Sequence, residues 1–201
     1  MDSNALYKIS YGLYVLTAKD EKRDNGCIIN TVMQITSCEP YHLVVSVCKQ
    51  NLTHNMIMNT KEFNISTLTT QTPFKVFEHF GFKSGNQEEK FGECSATAPR
   101  SKNGIIYLPQ YINSYLSAKV FDTMDCGTHT IFLAELTEAE NINADPSLTY
   151  EYYHEHIKPQ PQPKKKGYIC KICNYIYEGD ELPPDYICPL CKHGVADFVK
   201  L

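Results

Sequence analysis

The sequence predicts a mainly β protein: a closed barrel of short strands with flanking helices, followed by a small metal-centred domain. Three observations carry this. Six segments rich in β-branched and aromatic residues outnumber two helical ones between residues 11 and 136. The stretch IKPQPQPKKK (157–166) alternates proline with polar residues and separates this body from a short C-terminal tail. In the tail, Cys170/Cys173 and Cys188/Cys191 form two Cys-x-x-Cys pairs that can enclose one tetrahedral metal.

Each element has its own signal. YGLYVLTAK (11–19) and GCIINTVMQIT (26–36) read as strands, with Asn25-Gly26 as the turn between them. YHLVVSVC (41–48) is a further strand and LTHNMIMNT (52–60) a helix. FNISTL (63–68) returns to the sheet, and PFKVFEHFG (73–81) is a helix started by Pro73 and stopped by Gly81. GIIYLPQYINSYLSAKVF (104–121) and HTIFLAEL (129–136) complete the strands, and no internal repeat is present. The chain divides into a body (1–156), a Pro/Lys-rich linker (157–166) and a tail domain (167–201). The linker favours extended polyproline II. The tail is too short for an adequate core, so its metal must supply much of its folding energy.

Composition narrows the function. With 201 residues, 42% hydrophobic and 21% charged, the chain is ordinary for a globular protein. HLVVSVC (42–48), among the longest apolar stretches, is far short of the roughly 20 residues a bilayer needs. A net charge of −4 makes no electrostatic case for nucleic acid. Nine cysteines, an odd count without a secretory signal, argue against a disulfide framework and for a reducing cytoplasm. Cys27, Cys38, Cys48, Cys94 and Cys126 are scattered singly, the pattern of small buried hydrophobes.

Four thiolates select zinc or iron, and the 14-residue gap between Cys173 and Cys188 permits either. The flanking residues separate the two. YICKICNYIYEGDE and LPPDYICPLCK resemble the rubredoxin family, with Tyr168, Tyr175, Tyr177 and Pro189 at matching positions. The resemblance implies Cys170, Cys173, Cys188 and Cys191 as ligands of one iron per chain, which carries single electrons; zinc can replace it after overexpression. The family glycine after each second cysteine is here Asn174 and Lys192, at positions that often need positive φ. The alternative on the shared four-thiolate chemistry is a zinc ribbon that serves as a staple.

GCIINTVMQITSCEPYHLVVSVCKQNLTHNMI (26–57), FNISTL, FGFKSGNQEEKF (80–91) and GTHTIFLAEL (127–136) resemble, in order, the flavin reductase-like family. That resemblance implies an FMN-binding split barrel, generally a homodimer with FMN at the subunit interface. The strand at 41–48 leads through Lys49, Asn51 and Thr53 into a helix start, where unpaired N–H groups and the positive dipole end suit a phosphate. The FMN phosphate is expected there, with Asn30 and Thr31 close by, although Asn51 and Thr53 would also serve as helix caps. Gln34 and Thr36 are expected at the flavin's pyrimidine edge. His129 matches the family histidine near flavin and nicotinamide and is the catalytic candidate, with Thr128 where the family often has Asp. Tyr150 and Tyr153 are read as flavin neighbours or core aromatics, and His154 and His156 as solvated.

The order of barrel and tail resembles the high-molecular-weight rubredoxins of anaerobic microbes. It implies electrons passing from NAD(P)H to FMN, through the iron, to a flavodiiron protein that reduces O₂ or NO. With no G-x-G-x-x-G in the chain, NAD(P)H would stack directly on the flavin. Two alternatives stand: a general NAD(P)H:flavin or ferric reductase, and a flavin-binding or zinc-ribbon adaptor without turnover.

Overall fold

Val15, Leu16, Thr17 and Ala18 are consecutive and all buried, so the strand that carries them must be covered on both faces. In the computed structural model, which describes Ala5, residues 8–159 and residues 167–201, this strand is β1 (Tyr14–Lys19) of a seven-stranded antiparallel sheet. The others are β2 (Asp24–Ile29), β3 (Val32–Gln34), β4 (His42–Cys48), β5 (Glu62–Leu68), β6 (Ile112–Cys126) and β7 (His129–Asn141), in the order β2-β1-β5-β6-β7-β4-β3. The two edge strands, β2 and β3, are joined by Asn30 and Thr31 alone. A sheet whose opposite edges are that close in sequence has to curl until they meet, so it is a barrel with its seam at Asn30–Thr31.

One core fills the barrel, with Leu16, Val45, Phe63, Ile65 and Phe132 packed against Met56 and Ile57 of helix α1 (Leu52–Thr60). A second gathers Leu13, Val15, Leu68, Leu148 and Tyr153 around Phe77 of α2 (Phe74–Phe77). Helix α3 (Tyr150–Tyr152) opens with Thr149 Oγ1 accepting from the Tyr152 N–H at 3.2 Å and continues as a π-helical turn over Tyr153–Ile157. The linker expected over 157–166 lies, from residue 160 on, outside the described residues. In the tail, β8 (Tyr168–Cys170), β9 (Ile176–Tyr177) and β10 (Phe198–Lys200) form a small sheet in the order β10-β8-β9. No helix among the described residues is long and apolar enough to cross a membrane.

The fold corrects several local expectations. The first hairpin turns at Asp20–Arg23, not at Asn25-Gly26, because the Asp20 carboxylate accepts the Lys22 and Arg23 N–H groups at 2.8 and 2.9 Å. Gly26 instead lies in β2 opposite Thr17, where a Cβ would come 3.1 Å from the Thr17 methyl and 3.2 Å from the Leu16 carbonyl. The single strand expected over 26–36 is two, split at the seam. In the segment 104–121 only the stretch from Ile112 is strand: Pro109 cannot donate to a ladder, and Tyr111 takes φ 63°. The second helix does not stop at Gly81 but runs on as a π-helical turn to Phe82.

Candidate functional site

The tail's cysteines fold toward one point. Their four sulfurs lie within 4.8 Å of one another, with Cys170–Cys191 and Cys173–Cys188 each 3.5 Å apart. Metal–sulfur bonds of about 2.3 Å in a tetrahedron require sulfurs roughly 3.8 Å apart, so the set fits a metal of thiolate preference. The local backbone explains the convergence. Asn174 donates its N–H to the Cys170 carbonyl at 2.8 Å and Lys192 to the Cys188 carbonyl at 3.0 Å, which closes two matching turns. Asn174 at φ 61° and Lys192 at φ 63° take the left-handed backbone that glycine favours. Burial pushes the Cys170 thiol up to about 11, against backbone N–H groups of Cys173 and Ile172 that favour its thiolate. A cation is what would let such a packed set ionise together.

At the barrel seam, Asn30, Thr31, Ser46, Cys48, Asn51, His129 and Tyr150 line a concavity of about 200 Å³. Polar side chains here surround a space next to apolar Leu13 and Ile29. Thr31 donates to Asn30 Oδ1 at 3.1 Å, and His129 Nδ1 lies 2.9 Å from Thr128 Oγ1. His129 is the first residue of β7, held opposite Cys48 and Cys126 after the Gly127 turn. Asn30, Thr31, Asn51 and His129 are therefore brought together.

A second, smaller concavity opens at the start of α1, lined by Asn51, Leu52, Thr53, Asn25, Lys83 and Gly85 among others. Asn51 stands at the helix cap position with extended backbone and makes no side-chain cap bond; its side chain reaches the Cys27 thiol instead. Thr53 is fully buried and accepts from the Asn25 side chain at 2.9 Å. Lys49 turns away to Asp125, 2.7 Å distant. Gln34 and Thr36 are not in either concavity. Gln34 donates to the Thr36 carbonyl at 2.6 Å and lines a separate hollow with Val32, Tyr41 and Leu136, while Thr36 closes the turn before β4 by accepting the His42 N–H at 2.7 Å. Sequence reasoning missed Asn25, Lys83, Gly85, Ser46 and Cys48. Lys83 and Gly85 lie in FGFKSGNQEEKF, a stretch matched as a whole without a residue singled out.

The body touches the cysteine cluster. Lys158, only 5% exposed, donates from its ammonium to the Ile172 carbonyl at 2.7 Å, and Asn174 donates to the Pro159 carbonyl at 2.6 Å. Phe82 packs against the group formed by Cys170, Cys173, Cys188 and Phe198. Tyr150 lines the seam concavity, whereas Tyr153 is a core residue against Phe77, with ring centres 4.4 Å apart. His154 is not solvated as expected but half-buried, 4.5 Å from the Tyr150 ring, and burial lowers its pKa; His156 is exposed. Nor are the single cysteines uniformly buried: Cys27 is, while Cys38, Cys94 and Cys126 are exposed.

Residues 6–160 match the family described as flavin reductase like domain, and residues 168–199 match the rubrerythrin, rubredoxin-like domain. The chain belongs to the flavin reductase-like family and joins its barrel to a rubredoxin-like four-cysteine site: it is an oxidoreductase of flavin reductase type. Over its whole length it is 36% identical to the high molecular weight rubredoxin of Moorella thermoacetica, with 100% of both chains covered. It is 38% identical to the ferric-chelate reductase (NAD(P)H) of Archaeoglobus fulgidus over 77% of this chain and 89% of that one. Its fold is shared with the NADH:FAD oxidoreductase SgcE6 of Streptomyces globisporus, at a TM-score of 0.62 and 19% identity over 72% of this chain and 84% of that one. The seam and the α1 start fit a flavin in kind, because the seam offers a mixed polar and apolar wall and the α1 start offers polar groups, a helix N-terminus and a lysine.

Proposed function

We propose that the chain takes reducing equivalents from NAD(P)H onto FMN and hands single electrons through an iron tetrathiolate to a protein acceptor, a flavodiiron O₂ or NO reductase. One observation carries this reading most: the segment Tyr150–Lys158 both lines the seam concavity, through Tyr150, and holds the first cysteine knuckle, through Lys158. A metal site with only a stabilising role has no need of that position. Bound FMN supplies the exchange between a two-electron hydride donor and a one-electron acceptor. The chain's role is to hold it. The α1 start, with Asn51 and Lys83, is proposed for the phosphate, and Asn30, Thr31 and His129 for the ring side of the seam, where His129 can donate toward a reduced flavin. Lys49, Thr53, Gln34 and Thr36 would then support these contacts through Asp125, Asn25 and the β3–β4 turn.

Exposed Met33, Ile35, Tyr41, Phe121 and Met124 lie on or beside β3, β4 and β6, an apolar face that supports a homodimer completing the flavin site. The ferric-chelate reductase relative favours a second reading, in which the body reduces small ferric or flavin acceptors and the tail widens its range. An anaerobic absorption spectrum before and after NADH tests the proposal. Flavin and ferric-thiolate bands that both bleach support it; a flavin that bleaches while a ferric band persists would leave only the second reading.

A further inference from the structure

Lys158 is a cation without an ordinary counter-charge. It is buried, and no carboxylate lies within salt-bridge distance of its ammonium among the described residues. Its one hydrogen-bond acceptor on the tail is the carbonyl of Ile172, the residue between Lys171 and Cys173 in the first knuckle. A carbonyl dipole does not repay the burial of an ammonium, which needs a nearby anion. The anions at hand are the knuckle's sulfurs, since the carbonyl that Lys158 holds belongs to the residue bonded directly to Cys173. Four thiolates around a divalent or trivalent metal leave a net negative charge, and that charge grows by one on reduction.

The placement also has a direction. The first knuckle faces the body through Ile172 and Asn174, whereas Ile187 and Leu190 beside the second knuckle are exposed. Lys158 comes directly after the turn that carries Tyr153 and is tied to it, with its own N–H donating to the Tyr153 carbonyl at 2.8 Å. A charge fixed there by a helix-like turn cannot follow the tail if the tail leaves. Its influence is present when the knuckle is seated and absent otherwise.

We propose that Lys158 is a positioning residue that seats the first cysteine knuckle on its own chain's body and raises the reduction potential of the metal centre held there. This rests on the reading of the tail as an iron site. The step concerned is the gain of one electron by the ferric centre, with no bond made or broken and no proton taken up. The buried ammonium stabilises the more negative, reduced form over the oxidised one, so the seated centre is a better acceptor for electrons arriving from the body.

The test is a redox titration of the full-length, iron-loaded protein, followed at the ferric-thiolate band, for wild type, Lys158→Gln and Lys158→Arg. Lys158→Gln keeps a donor for the Ile172 carbonyl and removes the charge. The potential is expected to fall by about 59 mV or more, a tenfold loss in the equilibrium constant for reduction. Lys158→Arg keeps the charge and is expected to stay near wild type. The Gln shift should persist in high salt, because a buried charge is poorly screened. An unchanged potential in Lys158→Gln, with the ferric band intact, would overturn the proposal. Equal shifts in Gln and Arg would also overturn it, since they would assign the effect to packing rather than charge. A wild-type protein that takes up no iron and shows no ferric band would instead remove the metal reading on which it rests.

Discussion

Asn174 and Lys192 show how a single residue can be tolerated where another fits better. Both hold the left-handed backbone, at φ 61° and 63°, and both donate their N–H into a cysteine turn. Glycine carries no Cβ penalty there, Asn a small one and Lys more. Lys192→Gly is therefore expected to stabilise the metal-loaded protein by about 0.5–1 kcal/mol, with Asn174→Gly gaining less because its side chain also binds the Pro159 carbonyl. Urea midpoints at equal iron content measure this. At the α1 start the residue question is one of ligand. Asn51 makes no cap bond, and Lys83 is exposed beside the same concavity, paired with Glu88 at 3.0 Å. Asn51→Ala and Lys83→Ala should each weaken FMN by about 1 kcal/mol, the lysine's share falling with salt. Riboflavin, which has no phosphate, should be indifferent to both. Equal weakening of FMN and riboflavin would show that these side chains serve the fold instead.

At the scale of elements, β2 is tied to the loop before β6 by charge. Arg100 donates to both oxygens of Asp24 at 2.8 Å, and Ser95 Oγ donates to the same carboxylate at 2.6 Å. Burial alone would raise the Asp24 pKa, but these donors hold it below the ordinary carboxylate value. The unfolded chain thus binds more protons near pH 4 than the folded one. The stability this contributes is complete above the unfolded value of about 3.9 and is lost as pH falls through the lower folded value. Arg100→Ala should cost about 2 kcal/mol at pH 7, discounted from a fully buried pair because the guanidinium is partly exposed, and should flatten the acid limb of the stability curve. An acid limb as steep in Arg100→Ala as in wild type would place the proton uptake at another carboxylate. Such ties were not legible in the sequence. Runs rich in β-branched and aromatic residues, such as HLVVSVC and FNISTL, located the strands because a strand covered on both faces is apolar almost throughout. Pairing across 76 positions, as between Asp24 and Arg100, leaves no local trace. The seam was missed for the same reason: GCIINTVMQIT reads as one strand rich in β-branched residues, and only the closure of the sheet shows that Asn30 and Thr31 separate its opposite edges. The four cysteines were legible because thiolate chemistry and spacing are local.

The whole molecule couples a barrel that can hold a flavin to a metal knuckle resting on it, and the coupling can be cut without disturbing either domain. Zinc occupies a tetrahedral four-thiolate site much as iron does but has no accessible redox change. The zinc-loaded full-length protein should therefore fold with the same stability and oxidise NAD(P)H at an undiminished rate when free flavin or ferricyanide is the acceptor. Delivery to a flavodiiron protein should be lost, because single electrons would have no carrier on the exposed side of the knuckle. Charge should govern that last encounter. From Gly167 on, Glu178, Asp180, Glu181, Asp185 and Asp197 outnumber Lys171, Lys192 and Lys200, so the tail presents a mildly acidic surface. Delivery by the iron-loaded protein should weaken as ionic strength rises if a basic acceptor face is steered to it. The comparison that decides is iron- against zinc-loaded protein with one flavodiiron acceptor at matched flavin content. Equal delivery by the two would mean that the flavin reduces the acceptor directly and that the knuckle serves only to hold the structure.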